Sequence, residues 1–308
     1  MSKPVVCIGA ALVDELFHAS DPILLHTTNN VTVLKSAGGV SRNIAHQLSL
    51  LNIPIQLITV FGNDSEGSWL KDICQKANVQ IDASVTASGA SAKYTAIIDR
   101  DGSMFTALLS SAAFHLITSE HLEQHESLLS NAAYLLADAN VSIEVINWLV
   151  NFSNKKNIPL IIESVSVPPA KKISVADLKG VYLITPNEDE LPALCSDSLA
   201  TTEEQVNELL QRGVQNVWLH RGAKGSTLYN NNEVFHLDAP KAEVLDCTGA
   251  GDGSLSGFIM SKYIGMNDRD SLKTAHTLSA EILQVNGAIA THIDQKTLLQ
   301  LIAKYYPE

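Results

Sequence analysis

Asp246-Cys247-Thr248-Gly249-Ala250-Gly251-Asp252 runs directly into the helical stretch Gly253–Tyr263. Glycines just before a helix leave backbone N–H groups unobstructed, and the helix N-terminus adds the positive end of a dipole. Gly249, Ala250 and Gly251 therefore read as an anion cradle suited to a phosphoryl group in transfer. Asp252 falls in the first turn beside that cradle, where its carboxylate can take the proton of an attacking hydroxyl. No G-x-x-x-x-G-K-[ST] run is present, so this is not a Walker loop. The plainer alternative is a glycine-rich turn with Asp252 as a charge partner for the helix end.

A second group lies near the N-terminus. Gly38-Gly39 lets the backbone approach a ligand with no Cβ in the way. Asn43, one helical turn on, offers a donor and an acceptor, and Asp14 offers two acceptors. Together they suit bidentate contact with the hydroxyls of a small polyol. Asp14 follows the strand Val5–Ile8, at the carboxyl end where open α/β sheets place ligands. Taken alone, Asp14 reads equally as a solvated loop or capping residue.

The elements that must position these groups alternate. Strand-like runs at Val5–Ile8, Ile55–Phe61, Tyr134–Ala137, Pro159–Ile162, Val181–Ile184 and Val217–His220 are separated by helical patterns. The helices are predicted at Ser41–Leu51, Glu66–Ala77, Ile143–Phe152 and Thr202–Gln211. Such alternation predicts βαβ units and a mostly parallel central sheet covered by helices on both faces. Thr32–Leu34, and the runs Tyr94–Asp99 and Met104–Leu109 around the turn Arg100-Asp101-Gly102, break the rhythm. They predict a small β lid from segments near 15–36 and 92–112, placed to cover a ligand and exclude water. The final third is predicted helical at Gly251–Tyr263, Ser271–Val285 and Gln295–Tyr306. One domain spanning 1–308 fits this pattern.

Composition narrows the partners. Hydrophobic residues make up 45% and charged residues 18%, with 33 acidic against 21 basic side chains and a net charge of −12. That surface repels phosphate backbones and anionic lipid, which argues against nucleic acid or a membrane as partner. The four cysteines have no C-x-x-C spacing, and no apolar run approaches the roughly 20 residues of a membrane span. A cytoplasmic location is expected.

The two glycine-bearing motifs, taken together, resemble the signatures of the ribokinase-like (PfkB) family of carbohydrate and nucleoside kinases. Asp246–Asp252 is similar to that family's D-T-x-G-A-G-D, and Gly38–Asn43 to its di-glycine followed by Asn. The likeness extends over nearly the whole chain in order and spacing. It implies a ribokinase-like fold, with ATP as donor and Asp14, Gly38, Gly39 and Asn43 holding a sugar. It implies a nucleotide site drawn from Asn187, Arg221, Gly222, Gly225, Thr248 and His276. Thr185-Pro186-Asn187-Glu188-Asp189-Glu190 is similar to the family's N-x-x-E motif, so Glu190 is implied to hold Mg²⁺, partly through water. Asp246, with the Val285–Ala288 loop, matches a region where many relatives bind K⁺. Arg221 and Lys224 also read as solvated loop charges, and His276 as surface or core filler. A homodimer through the lid is a further expectation.

Within the family, Gly38-Gly39-Val40-Ser41-Arg42-Asn43-Ile44-Ala45 and Leu136-Ala137-Asp138-Ala139-Asn140-Val141-Ser142 resemble the pseudouridine kinase group. Glu163-Ser164-Val165-Ser166 echoes that group's D-P-V-S with Glu for Asp and Ser for Pro, and Ser110–Phe114 lacks the expected acidic pair. Arg42 and Asn140 read either as markers of the group or as ordinary capping and surface residues. The implied acceptor is a primary hydroxyl, pseudouridine O5′ by preference. Ribokinase, another sugar kinase, or a non-catalytic sugar or nucleotide sensor are the competing readings.

Overall fold

Neighbouring residues on the central strands face opposite ways, and both directions are apolar. Val5 and Cys7 join one buried cluster with Leu136, Ile161, Leu183 and Trp218. Val6 and Ile8 join the other, with Leu135, Ile162, Ile184 and Val217. A sheet buried on both faces follows, and helices must cover both sides. The computed structural model, which describes residues 2–196 and 198–307, has that arrangement.

The strands, in chain order, are β1 (Val5–Ile8), β2 (Leu12–Ala19), β3 (Val31–Gly38), β4 (Ile55–Ile58), β5 (Val60–Phe61), β6 (Val85–Thr86) and β7 (Lys93–Ile98). They continue as β8 (Met104–Ser110), β9 (Tyr134–Asp138), β10 (Leu160–Glu163), β11 (Leu183–Ile184), β12 (Asn216–His220), β13 (Ser226–Asn230) and β14 (Val234–Leu237). Eight of them form the main sheet in the order β14-β13-β12-β11-β10-β9-β1-β4. It is parallel from β4 to β12, and β13 and β14 are added antiparallel. One face carries the helices Ile143–Lys156 and Thr202–Gln211, through Val145, Leu149, Val206 and Leu209. The other carries Val40–Leu50, Ala250–Tyr263 and Asp268–Ile282, through Ile44, Leu48, Phe258 and Leu272. No helix among the described residues is long and apolar enough to cross a membrane.

A second sheet, ordered β3-β2-β7-β8, is built from the stretches 12–38 and 93–110. No strand is expected from sequence over Leu12–Ala19, and the structure puts one there. The reason is physical: Leu12-Val13-Asp14-Glu15-Leu16-Phe17-His18-Ala19 pairs its polar and apolar residues instead of alternating them. Between β3 and β7 most of this strand is half-buried on both faces, so period-two contrast is lost. Asp14 therefore stands on a strand opposite Ser36 and Tyr94, and the loop reading of it is corrected. β3 likewise runs eight residues where only Thr32–Leu34 is expected.

Candidate active site

Two helices on the same face of the main sheet bring their first turns together. The Val40–Leu50 helix begins after Gly39, whose φ is +96 and where a Cβ would overlap the Ala10 carbonyl. The Ala250–Tyr263 helix begins after Gly249, in the left-handed region at φ +74 and closed against Ala288. Only glycine fits both conditions at either turn. The consequence is a contact across 209 positions: Asn43 Nδ2 donates to Asp252 Oδ2 at 2.6 Å. Asp252 is half-buried at this junction. Burial pushes its carboxyl up to about 6, against the opposing pull of the Asn43 hydrogen bond and the Arg42 charge.

Asp14 approaches from the second sheet and packs on Gly38, where a Cβ would collide with its carboxylate. Burial raises it to about 6 as well, with Arg42 opposing. No hydrogen bond to its carboxylate is present among the described residues, so both oxygens are open to a ligand.

Sequence reasoning missed Asp138. This fully buried carboxylate, at the end of β9, accepts from Ala10 N at 2.8 Å and Ser41 N at 3.1 Å. It also accepts from the backbone and side-chain nitrogens of Asn140, both at 3.0 Å. Asp138 thus ties the loop after β1, the start of the Asn43 helix and Asn140 into one unit. Lys172 Nζ fixes the same loop through the Ala139 and Val141 carbonyls, at 2.6 and 2.5 Å. In sequence Asp138 stands only within the Leu136–Ser142 likeness to the pseudouridine kinase group, which gives it no role of its own. Asn140 belongs to this unit and not to the open surface.

A third group comes from the ends of β10 and β11. Glu190 is buried, and its Oε2 accepts from Ser164 Oγ at 2.9 Å and Asn187 N at 3.1 Å. Its Oε1 accepts from Asn187 Nδ2 at 2.9 Å, while Asn187 Oδ1 takes the amides of Asp189 and Glu190. Asn187 and Glu190 therefore lock one another. Burial raises the Glu190 carboxyl. Burial raises Glu163 well above the usual carboxylate range, reinforced by the neighbouring charges of Asp252, Glu190 and Asp138. Val165 beside it has φ +68, an uncommon conformation for a β-branched residue, and Glu163 Oε2 accepts its amide at 2.8 Å.

A cavity of about 720 Å³ opens beside the Gly249–Gly251 turn. Cys247, Ala250 and Gly251 line it together with His220, Gly222, Gly225, Pro240, Val244 and His276. Its size suits a purine nucleotide. His276 is held by a directional chain. Trp218 Nε1 donates to Ser226 Oγ at 2.8 Å, and Ser226 Oγ meets His276 Nε2 at 2.7 Å. His276 Nδ1 then meets Tyr306 OH at 2.8 Å, and that hydroxyl donates to the Asp238 carbonyl at 2.9 Å. Burial lowers His276 to about 4, so it stays neutral.

Of the residues named from sequence, Asp252, Asn43, Asp14, Gly38 and Gly39 meet at one junction, and Gly222, Gly225 and His276 line the cavity. Arg221 does not line it. Its guanidinium turns to Thr227 Oγ1 and Tyr229 OH, each at 3.0 Å. Thr248 is exposed outside the lining, its amide on Asp246 Oδ1 at 2.9 Å. Asp246 Oδ2 accepts from Gly287 N at 2.8 Å, which joins the loop before Asp252 to the 285–288 loop.

Comparison with known proteins decides the family. The model of the pfkB family of carbohydrate kinases matches residues 2–295. The chain belongs to that family. It is a kinase of sugars or nucleosides, a phosphotransferase with a hydroxyl as acceptor. The kinase is 31% identical over 265 residues to an uncharacterised sugar kinase, YeiI, of Escherichia coli K12, covering 84% of this chain and 72% of that one. It is 28% identical over 285 residues to pseudouridine kinase of the same organism, covering 91% and 90%. Its fold matches that of Arabidopsis thaliana ribokinase complexed with ribose and ATP, at a TM-score of 0.82 and 21% identity over 98% of this chain and 99% of that one.

Proposed function

We propose that this kinase transfers the γ-phosphoryl group of ATP to the O5′ hydroxyl of pseudouridine, with Asp252 as the base. The observation that carries the reading is the 2.6 Å contact between Asn43 and Asp252. It puts the acceptor-holding helix and the phosphoryl-binding helix start within one hydrogen bond of each other. Asp14, Asn43 and the Gly38-Gly39 backbone bind the ribosyl hydroxyls. Asp252 takes the proton of the primary hydroxyl as its oxygen bonds the γ-phosphorus and the bond to the ADP oxygen breaks. The amides of Gly249–Gly251 face the charge that develops on the transferring group. Gly222, Gly225 and His276 bound the nucleotide.

The oxygen donors near Asn187 fit a hydrated divalent cation. Glu190 Oε1 keeps a free lone pair, and the buried Thr185 Oγ1 has no partner among the described residues. Because Glu190 is locked to Asn187 and Ser164, it suits Mg²⁺ through water and not by direct ligation. Mg²⁺ bound there would neutralise phosphate charge. Asp246 and the 285–288 loop would border a K⁺ site.

Pseudouridine is put before ribose on the likeness of Gly38–Ala45 and Leu136–Ser142 to the pseudouridine kinase group's motifs, two stretches that Asp138 ties together through the Ser41 amide. The 28% identical relative covering 90% of its own length bears that name. The second sheet serves as the lid. Its edge strands expose Val33, Leu34, Met104, Leu108 and Leu109 by 50% or more, which suits burial against a second copy. ATP consumption with pseudouridine, uridine, ribose and fructose tests the acceptor. The reading predicts the highest kcat/KM for pseudouridine, by at least roughly tenfold over ribose and fructose, since the base adds contacts that a bare sugar lacks. Preference for ribose or fructose would replace it with a sugar kinase.

A further inference from the structure

Arg42 is 2% exposed, yet it makes no ion pair among the described residues. A surface or capping role is therefore ruled out, and a buried full charge needs another reason, since its desolvation costs several kcal/mol. Its partners are all neutral. Nε donates to the Gly38 carbonyl at 3.2 Å, and one terminal nitrogen reaches the Ala37 carbonyl and Asn43 Oδ1. The other lies 3.5 Å from His46 Nδ1. His46 is held to about 4 by burial and by Arg42 itself, so it is neutral and accepts.

The contact with Asn43 settles a question of orientation. A guanidinium only donates and an ionised carboxylate only accepts. Asn43 lies between the two kinds of partner, Arg42 on one side and Asp252 on the other. Turned the other way, its NH₂ would face the guanidinium and its oxygen the carboxylate, and both contacts would be repulsive.

We propose that Arg42 is a positioning residue for phosphoryl transfer: it fixes the Asn43 amide so that its NH₂ faces Asp252, and it supplies the counter-charge that Asp14 and Asp252 share. The inference rests on Asp252 being the base. The charged groups facing Asp252 are Arg42 from its neighbouring helix, Asp14 from β2, Asp138 from β9 and Glu163 from β10. Arg42 is the one cation in that set.

The test is the pH profile of kcat for Arg42→Lys and Arg42→Met, each checked for folding by thermal unfolding. Arg42→Lys keeps the charge but cannot hold Asn43 Oδ1 and the two carbonyls together. It is expected to lower kcat about tenfold with the acid limb near its original pH. Arg42→Met removes both functions. Its limb is expected to move up by about one pH unit, with part of the lost rate recovered by pH 9. Equal losses in the two Arg42 variants at every pH, or an unmoved limb in Arg42→Met, would overturn the proposal. If Arg42→Met does not fold, Arg42→Lys with full wild-type kcat overturns it alone. A wild-type enzyme with no limb near 6, together with an active Asp252→Asn variant, would instead remove the base assignment.

Discussion

Asp252 illustrates how one residue's environment sets its chemistry. Burial raises its carboxyl to about 6, and the Asn43 hydrogen bond and Arg42 hold it from rising further. A base must be ionised to work, so turnover should be full above the raised value and fall as pH drops through it. We expect the acid limb of kcat near pH 6, about two units above an ordinary aspartate. A profile flat from pH 8 to pH 4.5 would contradict this. The glycines, Asn43 and Asp252 were legible in sequence because each has a residue type its task demands. Asp138 and Arg42 were not. Their roles come from near-complete burial and from partners 97 to 128 positions away for Asp138, or at the end of β3 and on the helix for Arg42, and neither burial nor partner is visible in residue type. Arg221 misled for the mirror reason: a cation in a glycine loop resembles a phosphate ligand until its hydrogen bonds to Thr227 and Tyr229 are seen.

At the scale of elements, the parallel strands and covering helices were readable because uniform apolar runs and helical spacing mark them well. The strands that were not readable are short or mixed. β14 (Val234–Leu237) is a four-residue edge, and β2 blends polar and apolar residues because Asp14–His18 are half-buried on both of its faces. The Val167–Ile173 helix was hidden by Pro168-Pro169, which read as breakers yet sit in its first turn, where the missing N–H costs nothing. The last helix, Gln295–Tyr305, has a consequence for the nucleotide cavity. Tyr306, just beyond it, joins His276 to the Asp238 carbonyl, and the cavity-lining segment from Ala239 starts there. Tyr306→Phe removes a half-buried hydroxyl that bonds His276 and the Asp238 carbonyl, worth about 1 kcal/mol. We therefore expect KM for ATP to rise about fivefold with KM for the acceptor unchanged. Equal effects on the two constants in steady-state kinetics would disprove this division.

For the whole molecule, the architecture places Asp14, Asn43 and the Gly38-Gly39 turn on the second sheet and the Val40–Leu50 helix, and the large cavity at the β12–β14 end. The two halves meet at the Asn43–Asp252 contact. The apolar edges of the second sheet lead to the expectation that the enzyme sediments at twice its chain mass. Leu108→Lys combined with Leu109→Lys should return it to one chain mass, and an already monomeric wild type would refute the dimer. All of this depends on the carboxylate at the junction, so the most direct measurement is the turnover of Asp252→Asn at saturating ATP and acceptor, beside calorimetric binding of the acceptor. The amide keeps the shape of the carboxylate but cannot take a proton. The account predicts kcat lower by about 10²-fold or more with acceptor affinity within roughly threefold of wild type. Turnover within threefold of wild type would show that the proton goes elsewhere.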